Sequence, residues 1–251
     1  MSRLFLILIF SLSLFPLHPF GLPGDDGLNA IINSVYKKNQ DEEAAKKKLA
    51  RYSYERRMDI TESDEDGTLE KQYKTLQRVY QLNSNDSRTE TVSSSKWEDG
   101  KWENTAKKEK DGDHKNRKFK LEFSDIFSPQ KRSEYNFELI KQNEESIIIE
   151  VKPRKPEVEK FKGKFWFDPS DFSLQKAELQ PSEFKTGLKN MNTYLEMKQI
   201  NGISFLSKMV NKIHIKVFLI YSGKINQVIN YDNYKFNIDE KTFNDTYAKL
   251  K

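Results

Sequence analysis

The sequence predicts a mainly β fold with helices, an α+β protein centred on an antiparallel sheet, and three features carry that expectation. Apolar and polar residues alternate with period two in run after run. Turn signals separate the runs, among them Asp64, Glu65, Asp66 and Gly67, then Asp99 and Gly100, then Asp168, Pro169, Ser170 and Asp171. One apolar stripe with helical spacing precedes the first run.

Composition sets the frame for these elements. The chain has 251 residues, 36% hydrophobic and 32% charged, which is polar for a globular protein, yet its 12% aromatic content is too high for disorder. Arg3 followed by an apolar run at 4–15, broken only by Ser11 and Ser13 and ended by Pro16, reads as an export signal too short to span a bilayer. Cleavage is expected near 21–24, leaving one folded domain at 25–251; an uncleaved anchor is the alternative. Loss of this segment removes only Arg3 among fixed charges and lowers the formal net charge from +5 to +4. A surface this mixed in sign suits at most a weak, peripheral attraction to anionic lipid head groups and is not a nucleic-acid footprint. With no cysteine, the chain has neither disulfides, thiolate metal sites nor a lipid-modified cysteine.

In chain order, Asp25 and Asp26 precede Leu28, Ile31, Ile32, Val35 and Tyr36, a short helix with one apolar face and its acids at the positive end. A second helical piece is expected over 41–48, where acids give way to Lys46, Lys47 and Lys48. A helix with one apolar face must cover something, and the concave face of a sheet is the natural partner. Tyr52, Tyr54, Arg56, Met58 and Ile60 then share one face of a strand that pairs, through the turn at 64–67, with a strand over 68–82. Trp97 and Trp102 flank a smaller hairpin, and the basic run at 107–120 reads as a solvated loop or hairpin. Phe119, Leu121, Phe123, Ile126 and Phe127 form an apolar patch, a strand followed by a short helix, that periodicity alone does not resolve.

Tyr135, Phe137 and Leu139 alternate and pair with Ile147, Ile149 and Val151. In the stretch 161–179, Phe165 and Phe167 point one way and Trp166 the other, so this strand is expected in the middle of the sheet. Leu195 and Met197 share a face, and Ile213, Ile215 and Val217 alternate with His214 and Lys216. Ser222, Gly223 and Lys224 are expected to turn that strand back; a last strand over 234–238 then precedes a polar tail.

The C-terminal pattern resembles a known family. Gly163, Phe165, Trp166, Phe167 and Asp168, then Asn201, Gly202 and Ile203, then Tyr231, Tyr234, Phe236 and Ile238 are similar to the outer-membrane lipoprotein-sorting superfamily, the group of LolA, LolB, LppX and the RseB N-terminal domain. This likeness spans 152–239. It implies a strongly curved, open antiparallel half-barrel covered by helices, LolA-like, with a hydrophobic cavity for lipid or lipoprotein acyl chains, in an exported, monomeric periplasmic carrier or chaperone. LolB and LppX are anchored through a cysteine that this chain lacks, which favours a soluble carrier or sensor. An envelope sensor or protein-interaction module of the same fold, with an envelope protein as partner, is the alternative, and secretion or tethering by an uncleaved signal is the alternative location.

No motif for catalysis is present: GxSxG, HExxH and a phosphate-binding glycine loop are all missing, so no catalytic residue, cofactor or metal is assigned and a non-enzymatic role is expected. His18 lies in the export segment, and His114 and His214 read as surface residues. The candidate cavity residues are Tyr54, Met58, Tyr135, Phe137, Phe165, Phe167, Leu195, Met197, Ile213 and Ile215; residues of these types taken alone are more often ordinary core, and it is the resemblance that sets a ligand cavity beside that reading. Arg56, on the apolar face of its strand, either snorkels to the sheet edge or contacts a phosphate or ester at the cavity mouth.

Overall fold

The period-two runs do become strands, and all of them join one sheet. The computed structural model describes residues 25–49, 51–83, 86–106, 123–217 and 221–250, so the expected export segment, the basic run at 107–120 and Phe119 and Leu121 of the apolar patch lie outside the described residues. Eleven strands follow one helix: α1 (Asp25–Lys48), then β1 (Tyr52–Ser63), β2 (Leu69–Asn83), β3 (Asp86–Glu98) and β4 (Lys101–Asn104). After a 3-10 turn (Phe123–Phe127) and α2 (Pro129–Arg132) come β5 (Tyr135–Gln142), β6 (Ile147–Pro153), β7 (Phe161–Phe167), β8 (Leu174–Pro181), β9 (Leu188–Ile200), β10 (Ile203–Val217) and β11 (Tyr221–Phe236), and α3 (Glu240–Lys249) ends the chain. The strand order is β4-β3-β2-β1-β11-β10-β9-β8-β7-β6-β5, every neighbour pair is antiparallel, and the sheet does not close on itself. It is an open half-barrel made of two meanders joined where the first strand pairs with the last.

Helix α1 is one piece; nothing between Tyr36 and Asp41 breaks a helix, so the two expected segments run together. Ile31, Ile32 and Val35 lie on its buried side and pack with Phe127 of the 3-10 turn onto Leu139, Ile149, Val151, Phe165, Phe167, Ala177, Leu179 and Leu195. Alternation places these strand residues on one face, and α1 covers that face as its stripe predicts. Polar contacts hold the rest of the helix down. Lys38 Nζ donates to Asp171 Oδ2 at 2.8 Å in the β7–β8 turn, and the buried Glu42 carboxylate accepts from Ser204 Oγ at 2.8 Å.

Four expectations change. The aromatic strand β7 is third from the β5 edge, and β10 stands in the middle; strand position depends on the β1–β11 pairing, which joins residues far apart in sequence. Ser222, Gly223 and Lys224 lie inside β11, paired with Lys216, Ile215 and His214, and form no turn. The proposed last strand is the end of that same β11, where two residues of β1 span three of β11: Ser53 faces Lys235 while Glu55 faces Asp232, and Asn233 takes φ 53°. The polar tail holds helix α3, capped by Asp239, whose side chain accepts from Thr242 N, and anchored by Phe243 and Tyr247 against Tyr80. Strand β3, rich in Ser and Thr, was not expected and is held by its ladder to β2.

Turn chemistry follows the residues. Asp99 and Gly100 (φ 51° and 78°) and Asn201 and Gly202 (φ 54° and 77°) form two-residue links with both central residues left-handed. Gly163 is set by space instead: a Cβ there would lie 2.0 Å from the Glu178 carbonyl oxygen.

Candidate functional site

Cross-strand register gives the inner face its layout. One row crosses nine strands, Ile149, Phe165, Ala177, Leu195, Met209, Ile229, Met58, Thr75 and Ser94, each opposite the next. Burial along it divides the sheet. Ile149, Phe165, Ala177 and Leu195 are at most 1% exposed in the core under α1, whereas Met209 and Met58 are half-buried on either side of Ile229, which is 4% exposed. The core under α1 takes Met209 as a partial member and includes no residue of β11, β1 or β2.

Beyond it lies a trough. Met58, Ile60, Met209, Ile213, Ile215 and Ile225 are half-buried and share this face by register: Ile213 faces Ile225, Ile215 faces Gly223, and Ile60 faces Gln227. On the opposite face at this end, a 420 Å³ pocket is lined by Ser63, Asn190, Lys212, His214, Lys224 and Asn226, with Ile213 and Ile225 between them in sequence. Polar rows cross the trough. Thr193 Oγ1 donates to Asn211 Oδ1 at 2.8 Å, and Asn211 Nδ2 donates to Gln227 Oε1 at 2.7 Å. At one end Glu62, Lys71 and Glu98 stand opposite one another, with Lys71 3.2 Å from Glu98. At the other end Arg56 stands between Gln77 and Tyr231 and donates to Gln77 Oε1 through Nε (3.1 Å) and Nη2.

Beside Arg56, six rings gather: Tyr52, Tyr54, Phe205, Tyr231, Tyr234 and Phe236, with Tyr54 and Tyr234 stacked at 5.2 Å and Phe205 5.0 Å from Tyr234. Burial pushes the phenols of Tyr52 and Tyr231 up to about 12 and raises those of Tyr54 and Tyr234. The Arg56 charge opposes the rise at Tyr54 and Tyr231. Lys46 of α1 lies over the Phe205 ring, and burial lowers its ammonium pKa.

The ten candidate cavity residues therefore fall into three groups. Tyr135, Phe165, Phe167 and Leu195 are core, and the Phe127 ring meets Phe165 and Phe167 edge-on at 5.3 and 5.4 Å. Phe137 and Met197 lean on that core from its margin. Tyr54, Met58, Ile213 and Ile215 line the trough and its aromatic end. Sequence reasoning passed over Asn211, Gln227 and Gln77, although each is a polar residue at an inward position of an alternating run, a signal that could have been read.

Other features of the surface have structural roles. A 660 Å³ groove on the opposite face runs over Glu150, Lys164, Glu178 and Tyr194, a cross-strand row of alternating charge. His214 Nε2 lies 3.8 Å from a Glu65 carboxylate that also takes Lys216 at 2.9 Å, so these groups tie the β1–β2 turn to β10. Among the described residues, no group of three or more His, Asp or Glu could hold a metal ion, and no helix is long and apolar enough to cross a membrane.

No family model and no curated protein matches the sequence. Solved structures do. An outer membrane lipoprotein-sorting protein domain from Vibrio parahaemolyticus is 11% identical with a TM-score of 0.43, over 87% of this chain and 99% of that one. A DUF1329 family protein from Desulfovibrio piger is 13% identical with a TM-score of 0.39, over 88% and 98%. The solved structures similar to this chain over most of its length thus include, besides these two, a LolA superfamily protein from Nitrosomonas europaea, 11% identical with a TM-score of 0.38 over 86% and 98%.

Proposed function

We propose that this chain is a non-enzymatic, exported carrier that holds an acyl chain, of a lipid or lipoprotein, in the trough of Met58, Met209, Ile213, Ile215 and Ile225. One observation carries this reading: past the last residue packed beneath α1 the inner face still presents Met209, Met58, Ile213, Ile215 and Ile225 half-buried, interrupted by the polar Thr193, Asn211 and Gln227 row. Flexible Met and branched Ile side chains suit an acyl chain, each buried methylene contributing about 0.8 kcal/mol. Roughly ten methylenes would supply about 8 kcal/mol, within the range of ~4–15 kcal/mol that association itself costs, so a chain of ordinary lipid length is the shortest useful ligand. The export signal read from the sequence gives the envelope as the place of action.

Native mass spectrometry of the purified full chain, with uptake of a fluorescent fatty acid, tests the proposal. A lipid adduct and saturable uptake are expected, both lost in Ile213→Trp, which fills the trough. A chain that carries no adduct and takes up no fatty acid refutes it. The sealed core under α1 favours a second reading, an envelope sensor or interaction module with no cargo; there, Ile213→Trp changes stability alone.

A further inference from the structure

We infer that the acyl ligand of the trough ends in an oxyanion, a carboxylate or phosphate ester, and that Arg56 is the residue that holds it; this rests on the acyl-binding reading above. Arg56 is a half-buried cation among neutral neighbours. On its own face it stands beside Tyr54 and Met58 along the strand and opposite Gln77 and Tyr231 across it. The acids nearest in sequence, Glu55 and Asp59, point to the other face by alternation. Arg78 in the next strand shows the usual arrangement, with Glu55 at 3.3 Å and Glu90 at 3.4 Å. Arg56 has no such carboxylate among the described residues.

Its geometry is that of a prepared donor. Gln77 Oε1 takes Nε and Nη2, and Gln77 Nε2 in turn donates to Thr91 Oγ1 at 3.3 Å, which fixes the oxygen end of the amide toward the guanidinium. A guanidinium has five N–H groups, so the remainder find no protein acceptor among the described residues, yet none is walled in as a buried orphan. They are free to take an oxyanion in fork geometry, as carboxylates and phosphates prefer. A cation removed from water without a counter-ion is costly, and a ligand oxyanion would offset that cost. The half-buried Met58 stands one residue pair further along, with Met209 beyond the buried Ile229, and an acyl tail attached to that head would run over these Met side chains.

Matched probes test this in the full chain: oleate against oleyl alcohol, which shares the tail and lacks the charge, by displacement of a bound fluorescent fatty acid analogue. Oleate is expected to bind about tenfold or more tightly than the alcohol. Arg56→Gln, which can still pair with Gln77, should bring oleate down to the alcohol's affinity and leave the alcohol unchanged. Acetate and inorganic phosphate at millimolar concentration should displace nothing, since the head alone lacks the tail's contribution. Equal affinity for the two probes, or an equal loss of both in Arg56→Gln, overturns the assignment while leaving acyl binding intact. Binding of neither probe to the unmodified chain refutes acyl binding itself, and the Arg56 assignment with it.

Discussion

Replacing Gly163 with alanine puts a methyl carbon 2.0 Å from the carbonyl oxygen of Glu178 and 3.0 Å from its carbonyl carbon. The closest carbon–oxygen contacts between strands are about 3.3 Å, so β7 and β8 would have to part by roughly 1.3 Å. Neither strand is free to move. Gly163 stands between Val151 and Leu179, which are 0% and 3% exposed, and both belong to the core beneath α1. In an unobstructed strand, glycine to alanine stabilises by about 0.5–1 kcal/mol because the unfolded chain loses freedom. Here the overpacking cost of about 1–3 kcal/mol dominates and reverses the sign. Urea unfolding followed by circular dichroism should show a midpoint lower by on the order of 0.5–1 M, from slopes of about 2–3 kcal/mol per M. An alanine variant as stable as the parent, or more stable, would refute the claim that close approach of β8 is why glycine stands there.

Further perturbations address other parts of the molecule. Ser204→Ala leaves the buried Glu42 carboxylate without its hydroxyl donor and should cost about 1–3 kcal/mol, seen as faster amide exchange in the C-terminal half of α1. Phe243→Ala removes a side chain that is 1% exposed and should cost about 3–5 kcal/mol in thermal or denaturant unfolding. High pH should unfold the protein through its tyrosines. Folded Tyr52 and Tyr231 keep their protons up to about 12, whereas the unfolded chain releases them near 10.0, so their contribution is whole below pH 10.0 and is lost as pH rises to about 12. Phenolate absorbance should accordingly rise in two stages, exposed tyrosines first and these with unfolding; a single titration near 10.0 would contradict their burial.

The elements that were legible in the sequence are those whose side chains had to choose a face. β1, β7 and β10 carry apolar residues at every second position because one side packs inward, and the stripe of Ile31, Ile32 and Val35 marks α1 for the same reason. β3 is illegible because Ser and Thr serve both of its faces, and its stability lies in the ladder to β2. Helix α3 rests on just two buried rings, Phe243 and Tyr247, one helical turn apart in an otherwise polar segment. Gly223 looked like a turn because glycine often is one, yet it stands opposite Ile215 on the trough face of β11. At the site, alternation identified Tyr54, Arg56, Met58, Ile213 and Ile215 as sharing a face, but where the core ends and the trough begins depends on how far α1 and Phe127 reach across the sheet. That is a tertiary distance, and no local pattern encodes it.

The seam between β1 and β11 also bears on how the chain reaches this state. Tyr52 pairs with Phe236 and Ser63 with Lys224, so the N-terminal meander is tied to the rest only after almost the whole sequence is available. Loop closure over that span is entropically expensive and comes late, which makes this a chain of high contact order and slow folding. β1 to β4 contribute no residue to the core under α1, and they cannot dock until the last strand is in place. The same dependence makes the C-terminal residues the ones whose loss would leave an unpaired β1 edge open to other chains.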